Sequence, residues 1–223
     1  MEIRIVTDKE AEITALSEDT AFAVPVEITV PSGSECAVLT VFPSVSNAAE
    51  LAADPRRDPL GEDTVRALAD VTGPLMKNAG YSDPPEVFRT VGFISPDGYD
   101  AETILPDGAA LEERTEDGSP AVSVFAGGRE VSRASVNDID AGDDAVEIYT
   151  ETDPGCRNLG YATACVARLV KTLTGAGKRV RYVCDEGNAP SIRVAEKAGL
   201  VPEYRSAAIV YYRPEGGRDR NGV

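Results

Sequence analysis

The chain has 223 residues, of which 42% are hydrophobic, and carries a formal net charge of -16 with a pI near 4.4. This hydrophobic fraction is sufficient for a buried core, so a disordered chain is excluded, and the charge argues against nucleic acid as a partner because a polyanion would be repelled at long range. No apolar run approaches the roughly 20 residues of a membrane-spanning helix, and the opening lacks the features of a secretory signal, so we expect a cytoplasmic protein.

The first half of the chain predicts a mixture of strands and helices. Clusters of β-branched residues separated by turn residues indicate strands, and apolar residues at three- and four-residue spacing indicate helices. The Gly73-Pro74 pair predicts an interruption of the second helix. The segment 95–120 is rich in Gly, Pro, Asp and Glu and is interpreted as a connection with one short element near 109–114. The other predicted elements are strands at 22–30, 36–42 and 86–94 and helices at 47–53 and 62–79.

The second half predicts a more regular order of elements. Two strands form a hairpin through the turn at 126–129, and a β-α-β-α-β series follows. Such an order implies an α/β (α+β) fold with a mixed, mostly antiparallel central sheet flanked by helices. The predicted elements are strands at 121–125, 131–136, 145–150, 179–184 and 207–212 and helices at 162–173 and 189–198.

The segment from Asp153 to Ala162, D-P-G-C-R-N-L-G-Y-A, joins a predicted strand to a predicted helix and contains few bulky residues. A strand that turns through such backbone into a helix leaves amide N–H groups exposed, with the positive end of the helix dipole behind them. That arrangement binds phosphate. The spacing R-x-x-G-x-A, with Arg157 as a mobile cation, suits a diphosphate, although an ordinary strand-to-helix turn has the same spacing.

The continuation of the chain makes the motif more specific. Asn188-Ala-Pro-Ser191 opens the next predicted helix, and Glu196-Lys197-Ala198-Gly199-Leu200 ends it. With the preceding loop, this run resembles the GCN5-related N-acetyltransferases (GNAT) over roughly residues 120–213. In that family the loop holds the pyrophosphate of acetyl-CoA, the following strand splays away, and an N-x-x-A/S segment begins the next helix. The resemblance therefore implies a central sheet that is splayed at the cofactor site.

The resemblance also implies roles for individual residues. The pyrophosphate would lie on the amides of Arg157, Asn158, Leu159, Gly160, Tyr161 and Ala162, the pantetheine arm would run along Thr150, Glu151 and Thr152, and Asn188 and Ser191 would complete the cofactor site. Ser191 is the first choice to protonate the departing thiolate, with Tyr182 or Tyr204 as substitutes. Glu147 or Glu151 would be the base. Two positions depart from the family pattern, since Ala195 replaces a common helix tyrosine and Leu159 replaces a common basic residue.

The charge of the chain is unevenly distributed. Between Gly155 and Leu200 eight cations stand against three anions, a net charge of +5 within a chain of -16. An anionic cofactor requires such a cationic zone, although helix surfaces also carry charge for solubility alone. The abundance of Asp and Glu with few lysines fits either a salt-rich cytoplasm or an ordinary acidic cytosolic protein.

Cysteine and histidine usage excludes several mechanisms. The chain has four cysteines without a C-x-x-C pair and no histidine, which excludes a Cys/His zinc site, histidine triads and a histidine base. We predict free thiols and no metal site. Cys156, inside the loop, is the one thiol whose reactivity is of interest.

From these observations we predict an acetyl-CoA-dependent N-acetyltransferase that acts by direct attack of a primary amine of a small molecule or peptide. Residues 1–115 would form an acceptor-side or regulatory region, residues 116–213 the acetyl-CoA-binding domain, and residues 214–223 a mobile tail. The sequence leaves the oligomeric state open, and a homodimer is compatible with it. The alternative is a non-catalytic acyl-CoA-binding module with an N-terminal interaction domain.

Overall fold

The computed structural model describes residues 2–16, 20–47, 49, 54, 56–82, 84–116, 118–137 and 145–214. The chain forms two compact units, one of Met1–Thr90 with Tyr204–Val223 and one of Val91–Glu203. This grouping differs from a division at residue 115, because the last strand returns to the first unit and the connection after Ile94 belongs to the second. No helix of the described ranges is long and apolar enough to cross a membrane.

The first unit is a sheet accompanied, among its described residues, by the helices α1 (Lys9–Ala15) and α2 (Glu62–Asn78). Strand β3 pairs in parallel with β1 and antiparallel with β2, and β2 pairs antiparallel with the last strand from Tyr204 to Tyr212. Its elements are β1 (Glu2–Thr7), α1 (Lys9–Ala15), β2 (Phe22–Pro31), β3 (Cys36–Val41), a 3₁₀ turn at Pro43–Val45, α2 (Glu62–Asn78), the first part of β4 (Glu86–Ile94) and most of β10 (Val201–Tyr212). The predicted strands at 22–30, 36–42 and 86–94 are confirmed.

The first two elements were not predicted. Ile3 and Ile5 alternate with exposed residues in β1, and Asp8 caps α1 by accepting a hydrogen bond from the Ala11 amide at 2.8 Å. Both signals are present in the sequence, but each element is only six or seven residues long. The helix predicted at 47–53 lies mostly outside the described residues.

Helix α2 corrects the predicted interruption at Gly73-Pro74, because the helix runs through both residues. A proline inside a helix removes one N–H donor and disturbs the carbonyls of the preceding turn. Two side-chain hydroxyls add hydrogen bonds in that turn: Thr72 donates to Leu68 O at 3.1 Å, and Tyr211 donates to Ala69 O at 3.1 Å. The helix continues unbroken through the proline to Asn78.

The second unit contains the predicted β-α-β-α series. Strands β5 to β8 pair antiparallel in sequence order, and β8 pairs in parallel with β9. The elements are β5 (Ala109–Glu116), β6 (Ser119–Ala126), β7 (Arg129–Val136), β8 (Ala145–Thr152), a 3₁₀ turn at Pro154–Cys156, α3 (Tyr161–Gly175), β9 (Arg179–Asp185) and α4 (Ala189–Lys197). The predicted mixed, mostly antiparallel sheet with flanking helices is confirmed.

One boundary in this unit was predicted wrongly. The short element near 109–114 is a full strand, β5, and Ser119 already belongs to β6. The acidic residues concealed it, because Glu112 and Glu113 read as loop residues although their side chains pair with arginines.

The core of the second unit fixes α3 against the sheet. Val166, Leu169 and Val170 are fully buried with Ile148 of β8 and Val180 of β9. Each such side chain contributes about 1.5–3 kcal/mol of transfer free energy. The loop between β8 and α3 is therefore anchored at both ends by rigid elements.

Candidate cofactor and active site

The loop from β8 to α3 contains two residues in the left-handed backbone region. Asn158 has φ 63°, and it is the one non-glycine with positive φ within the described part of the chain. Gly160, with φ 89°, is the N-cap residue that immediately precedes α3. Glycine adopts this conformation freely, and asparagine tolerates it better than most residues. The two residues turn the backbone between the end of β8 and the start of α3.

The amides at the start of α3 have no partner within the described protein. Gly160 has no side chain with which to cap the helix, and the first bond at this end runs from the Ala164 amide to Gly160 O at 3.0 Å. Among the described residues, nothing accepts a hydrogen bond from the amides of 157–163. Unpaired donors at the positive end of a 15-residue helix form an anion site.

The parallel pairing of β8 and β9 stops before either strand ends. The paired residues run from Ala145↔Arg179 to Ile148↔Tyr182, whereas β8 continues to Thr152 and β9 to Asp185. No described residue pairs with this edge of β8 beyond Ile148. The splay that the resemblance implied is thus present beside the loop.

The open edge of β8 presents main-chain groups in a definite pattern. The Asp153 amide donates to Val131 O, and Glu147 O accepts from the Asn137 amide, so odd-numbered residues of β8 bond towards β7. Because bonding directions alternate along a strand, Thr150 and Thr152 point their main-chain groups to the open side. Thr152 O accepts a bond from Arg157 Nε at 3.4 Å.

A cavity of about 860 Å³ joins the loop, the open strand edge and the start of α4. It brings together ten of the eleven residues predicted for the cofactor site, and the exception is Leu159, whose side chain is 54% exposed. The ten are Thr150, Glu151, Thr152, Arg157, Asn158, Gly160, Tyr161, Ala162, Asn188 and Ser191. Residues from three separate elements therefore face one space.

Two cations that line this cavity, Arg193 and Lys197, belong to the cationic zone but were not among the predicted site residues. They are four residues apart on α4 and so share one face of the helix. With Arg157 they form the cavity cations, and none of the three has a carboxylate partner among the described residues. The four-residue spacing of Arg193 and Lys197 on a predicted helix was the sequence signal that could have identified them.

The other cations of the zone are mostly neutralised. Arg168 pairs with Glu113, Lys171 with Asp100 at 2.9 Å, and Arg181 with Glu203 at 2.7 Å. These carboxylates lie outside the segment 155–200, so the count of +5 overstates the free positive charge. What remains unpaired is concentrated at the cavity.

Ser191 is held from two sides at the first turn of α4. Its amide donates to Asn188 Oδ1 at 3.2 Å, and its Oγ accepts a hydrogen bond from the Tyr182 hydroxyl at 3.3 Å. Tyr182 is 3% exposed, and burial raises the pKa of its phenol. Ala195 is fully buried in the core, and Tyr204 belongs to the first unit.

The two candidate bases differ in their surroundings. Glu151 lines the cavity and pairs with Arg133 at 2.9 Å. Glu147 lies on the same face of β8, accepts a bond from Asn137 Nδ2 at 3.0 Å and is not a lining residue. Of the two, Glu151 therefore has the shorter route to a bound substrate.

All four cysteines are free, as predicted. Cys156 lines the cavity, where Arg129 Nη2 lies 3.4 Å from its sulfur. Burial, assisted by the charge of Asp185, raises the pKa of Cys184 to about 11.

Comparison with known protein families gives one match. The model of the acetyltransferase (GNAT) domain matches residues 81–201, which is more than half of the chain. No curated protein matches the sequence significantly.

Solved structures are similar at low identity. A GCN5-related N-acetyltransferase-like protein from Streptococcus suis is 15% identical, with 88% of this chain and 92% of that chain covered and a TM-score of 0.47. A GCN5-related N-acetyltransferase from Kribbella flavida is 13% identical, with 92% and 94% covered and a TM-score of 0.45. YncA from Salmonella typhimurium, solved with its cofactor acetyl-CoA, is 19% identical, with 44% and 66% covered and a TM-score of 0.35.

Proposed function

Because the chain belongs to the GNAT family of acetyltransferases, with acetyl-CoA as co-substrate, we propose that it transfers the acetyl group to a primary amine of a small molecule or peptide. The proposal concerns the acceptor and the mechanism, which is direct attack without a covalent enzyme intermediate. One similar protein, YncA, carries acetyl-CoA in its structure.

The observation that carries the proposal is the coincidence of open amides and an open strand edge. The amides of 157–163 can receive the pyrophosphate, and the cavity cations add charge that no described carboxylate neutralises. From there the pantetheine arm can extend beside β8 like an added strand, so that its amide groups pair with the main-chain groups of Thr150. The thioester then lies near the point where β8 and β9 separate.

The reaction requires three tasks from the surrounding residues. A base must leave the amine neutral, the thioester carbonyl must be polarised, and the thiolate must be protonated. The nitrogen attacks the carbonyl carbon, a C–N bond forms, the C–S bond breaks, and its electron pair goes to sulfur. We assign the base to Glu151 or Glu147, acting directly or through water, and the group facing the sulfur to Ser191.

A second function is favoured by one observation. The position of the common helix tyrosine is Ala195, which is fully buried, so this position offers no proton to the cavity. A non-catalytic acyl-CoA-binding module, with the first unit for interaction or regulation, would have no use for that proton.

Turnover distinguishes the two functions. Thiol release from acetyl-CoA is measured with a panel of primary amines, and binding is measured separately by calorimetry. We expect amine-dependent thiol release together with binding. Tight binding with no thiol release from any amine would favour the module, and absence of binding would refute both.

A further inference from the structure

We propose that Tyr182 is a positioning residue for acetyl transfer, because its hydroxyl directs the Ser191 hydroxyl proton into the cavity. The inference rests on the proposed function. It starts from the hydrogen bond in which the Tyr182 hydroxyl donates to Ser191 Oγ at 3.3 Å. Ser191 lines the cavity, whereas Tyr182 lies behind it in the core of the second unit.

The chemistry of a serine hydroxyl gives this contact a directional effect. Such a hydroxyl has one proton and two acceptor lone pairs. Tyr182 occupies a lone pair, so the proton of Ser191 must point elsewhere. The described residues offer no acceptor for that proton, while the Ser191 amide is already engaged by Asn188. The direction left to the proton is the cavity, where the sulfur of the bound thioester would lie.

Tyr182 acts here as a fixed donor rather than as a proton source. It is 3% exposed, and burial raises the pKa of its phenol, so the phenol keeps its proton at neutral pH. A hydroxyl that always donates fixes the neighbouring hydroxyl in one orientation. Tyr182 of β9 thus orients the Ser191 hydroxyl of α4, which supplies the donor that Ala195 cannot provide.

The proton balance of the step is simple. When the C–S bond breaks, the thiolate sulfur accepts a hydrogen bond from Ser191 Oγ–H, which stabilises its charge. The attacking nitrogen loses its surplus proton to the base or to water, and the thiolate takes the Ser191 Oγ proton, which Ser191 regains from water. Tyr182 exchanges no proton and acts only through Ser191.

A double-mutant cycle with Tyr182→Phe and Ser191→Ala tests the inference. Ser191→Ala is expected to lower kcat about 100-fold, as for loss of a positioned acid group, and Tyr182→Phe about five- to tenfold. In the Ser191→Ala background, Tyr182→Phe is expected to change kcat by less than about twofold, because its effect passes through Ser191. KM for acetyl-CoA and the calorimetric Kd are expected to stay within about twofold throughout. Ser191→Thr, which keeps the hydroxyl, should restore most of kcat.

The matched control is Tyr211→Phe, which removes another buried hydroxyl, 2.9 Å from Thr72 Oγ1 in the first unit. It is expected to lower the melting temperature but leave kcat unchanged. Equal losses of kcat from Tyr182→Phe in both backgrounds, or an unchanged kcat in the Tyr182→Phe single variant, would overturn the inference while wild-type turnover upheld the proposed function. No wild-type thiol release with any amine would overturn both.

Discussion

Two helices of the second unit follow a strand in the same way, yet they begin differently. Helix α3 follows β8, and its N-cap residue is Gly160, which offers no side chain to the free amides. Helix α4 follows β9, and its N-cap residue is Asn188, whose Oδ1 accepts a hydrogen bond from the Ser191 amide at 3.2 Å. Helix α3 therefore leaves its first amides free for a ligand, whereas the N-cap side chain of α4 accepts a hydrogen bond from one amide of that helix.

The same strand-to-helix arrangement therefore serves two different purposes, anion binding at α3 and the positioning of Ser191 at α4. A helix with glycine in place of a capping side chain is less stable by roughly a few tenths of a kcal/mol, a cost that a bound anion can offset. The capped helix needs no ligand to hold its first turn, so it can present Ser191 in a fixed place. The cavity lies between the two helix starts.

The largest expected effect comes from filling the open helix start. Gly160→Leu should weaken acetyl-CoA binding at least about 100-fold in calorimetry, because the side chain would occupy the phosphate position and the backbone would also be strained. Gly177→Leu is the control, since Gly177 also has positive φ, 78° against 89°, and no atom lies within 4 Å of its added Cβ. Both variants bear a similar strain of about 1–2 kcal/mol. Equal affinity for acetyl-CoA in both variants would contradict the placement of the cofactor.

A smaller effect should distinguish the thiols that precede the two helices. Cys156 precedes α3 and lines the cavity, whereas Cys184, before α4, has a pKa of about 11 because of burial and the nearby Asp185. Since the thiolate is the nucleophile, iodoacetamide at pH 8 should modify Cys156 at least about tenfold faster than Cys184. A raised pKa means little thiolate below it, so the rate at Cys184 should climb with pH towards 11.

Peptide mapping by mass spectrometry measures both thiols in one sample. Acetyl-CoA should protect Cys156 and leave Cys184 unchanged. Protection of Cys184 alone would place the cofactor at the wrong helix and break the comparison.

The smallest effect should come from removing the cap of α4. Asn188→Ala should lower stability by about 1 kcal/mol, or the melting temperature by about 2–4 °C, because the Ser191 amide loses its acceptor. Asn188→Ser keeps a capping oxygen and should be close to wild type. A variant with unchanged melting temperature but much weaker acetyl-CoA binding would mean that Asn188 contacts the ligand rather than capping the helix.

The elements around the cavity were predictable because their signals are local. The apolar spacing of α3, the asparagine before α4 and the glycines that end both helices all lie within a few residues of the structure they determine. The loop before α3 was predicted as a phosphate site from its small residues. Its assignment to acetyl-CoA came from the motif that begins at Asn188.

The parts that sequence reasoning missed depend on contacts between distant residues. Helix α2 runs through Pro74, and one of its carbonyls accepts a hydrogen bond from Tyr211, more than a hundred residues away. Likewise Glu203 neutralises Arg181, and Tyr182 meets Ser191 only when β9 and α4 pack together. No local pattern encodes these pairs, so the free charge and the orientation of Ser191 emerged only from the structure.

The separation of β8 from β9 after Ile148 has a consequence for inhibition. An unpaired strand edge can pair with an extended backbone. The open edge of β8 lies beside the anion-binding amides of 157–163, but pairing with this edge does not require a ligand that contacts those amides. A short linear diamide, carrying neither nucleotide nor phosphate, would therefore compete with acetyl-CoA for the edge at Thr150. The affinity of such an uncharged compound would not depend on ionic strength, whereas the affinity of analogues that retain the diphosphate would fall as salt is added.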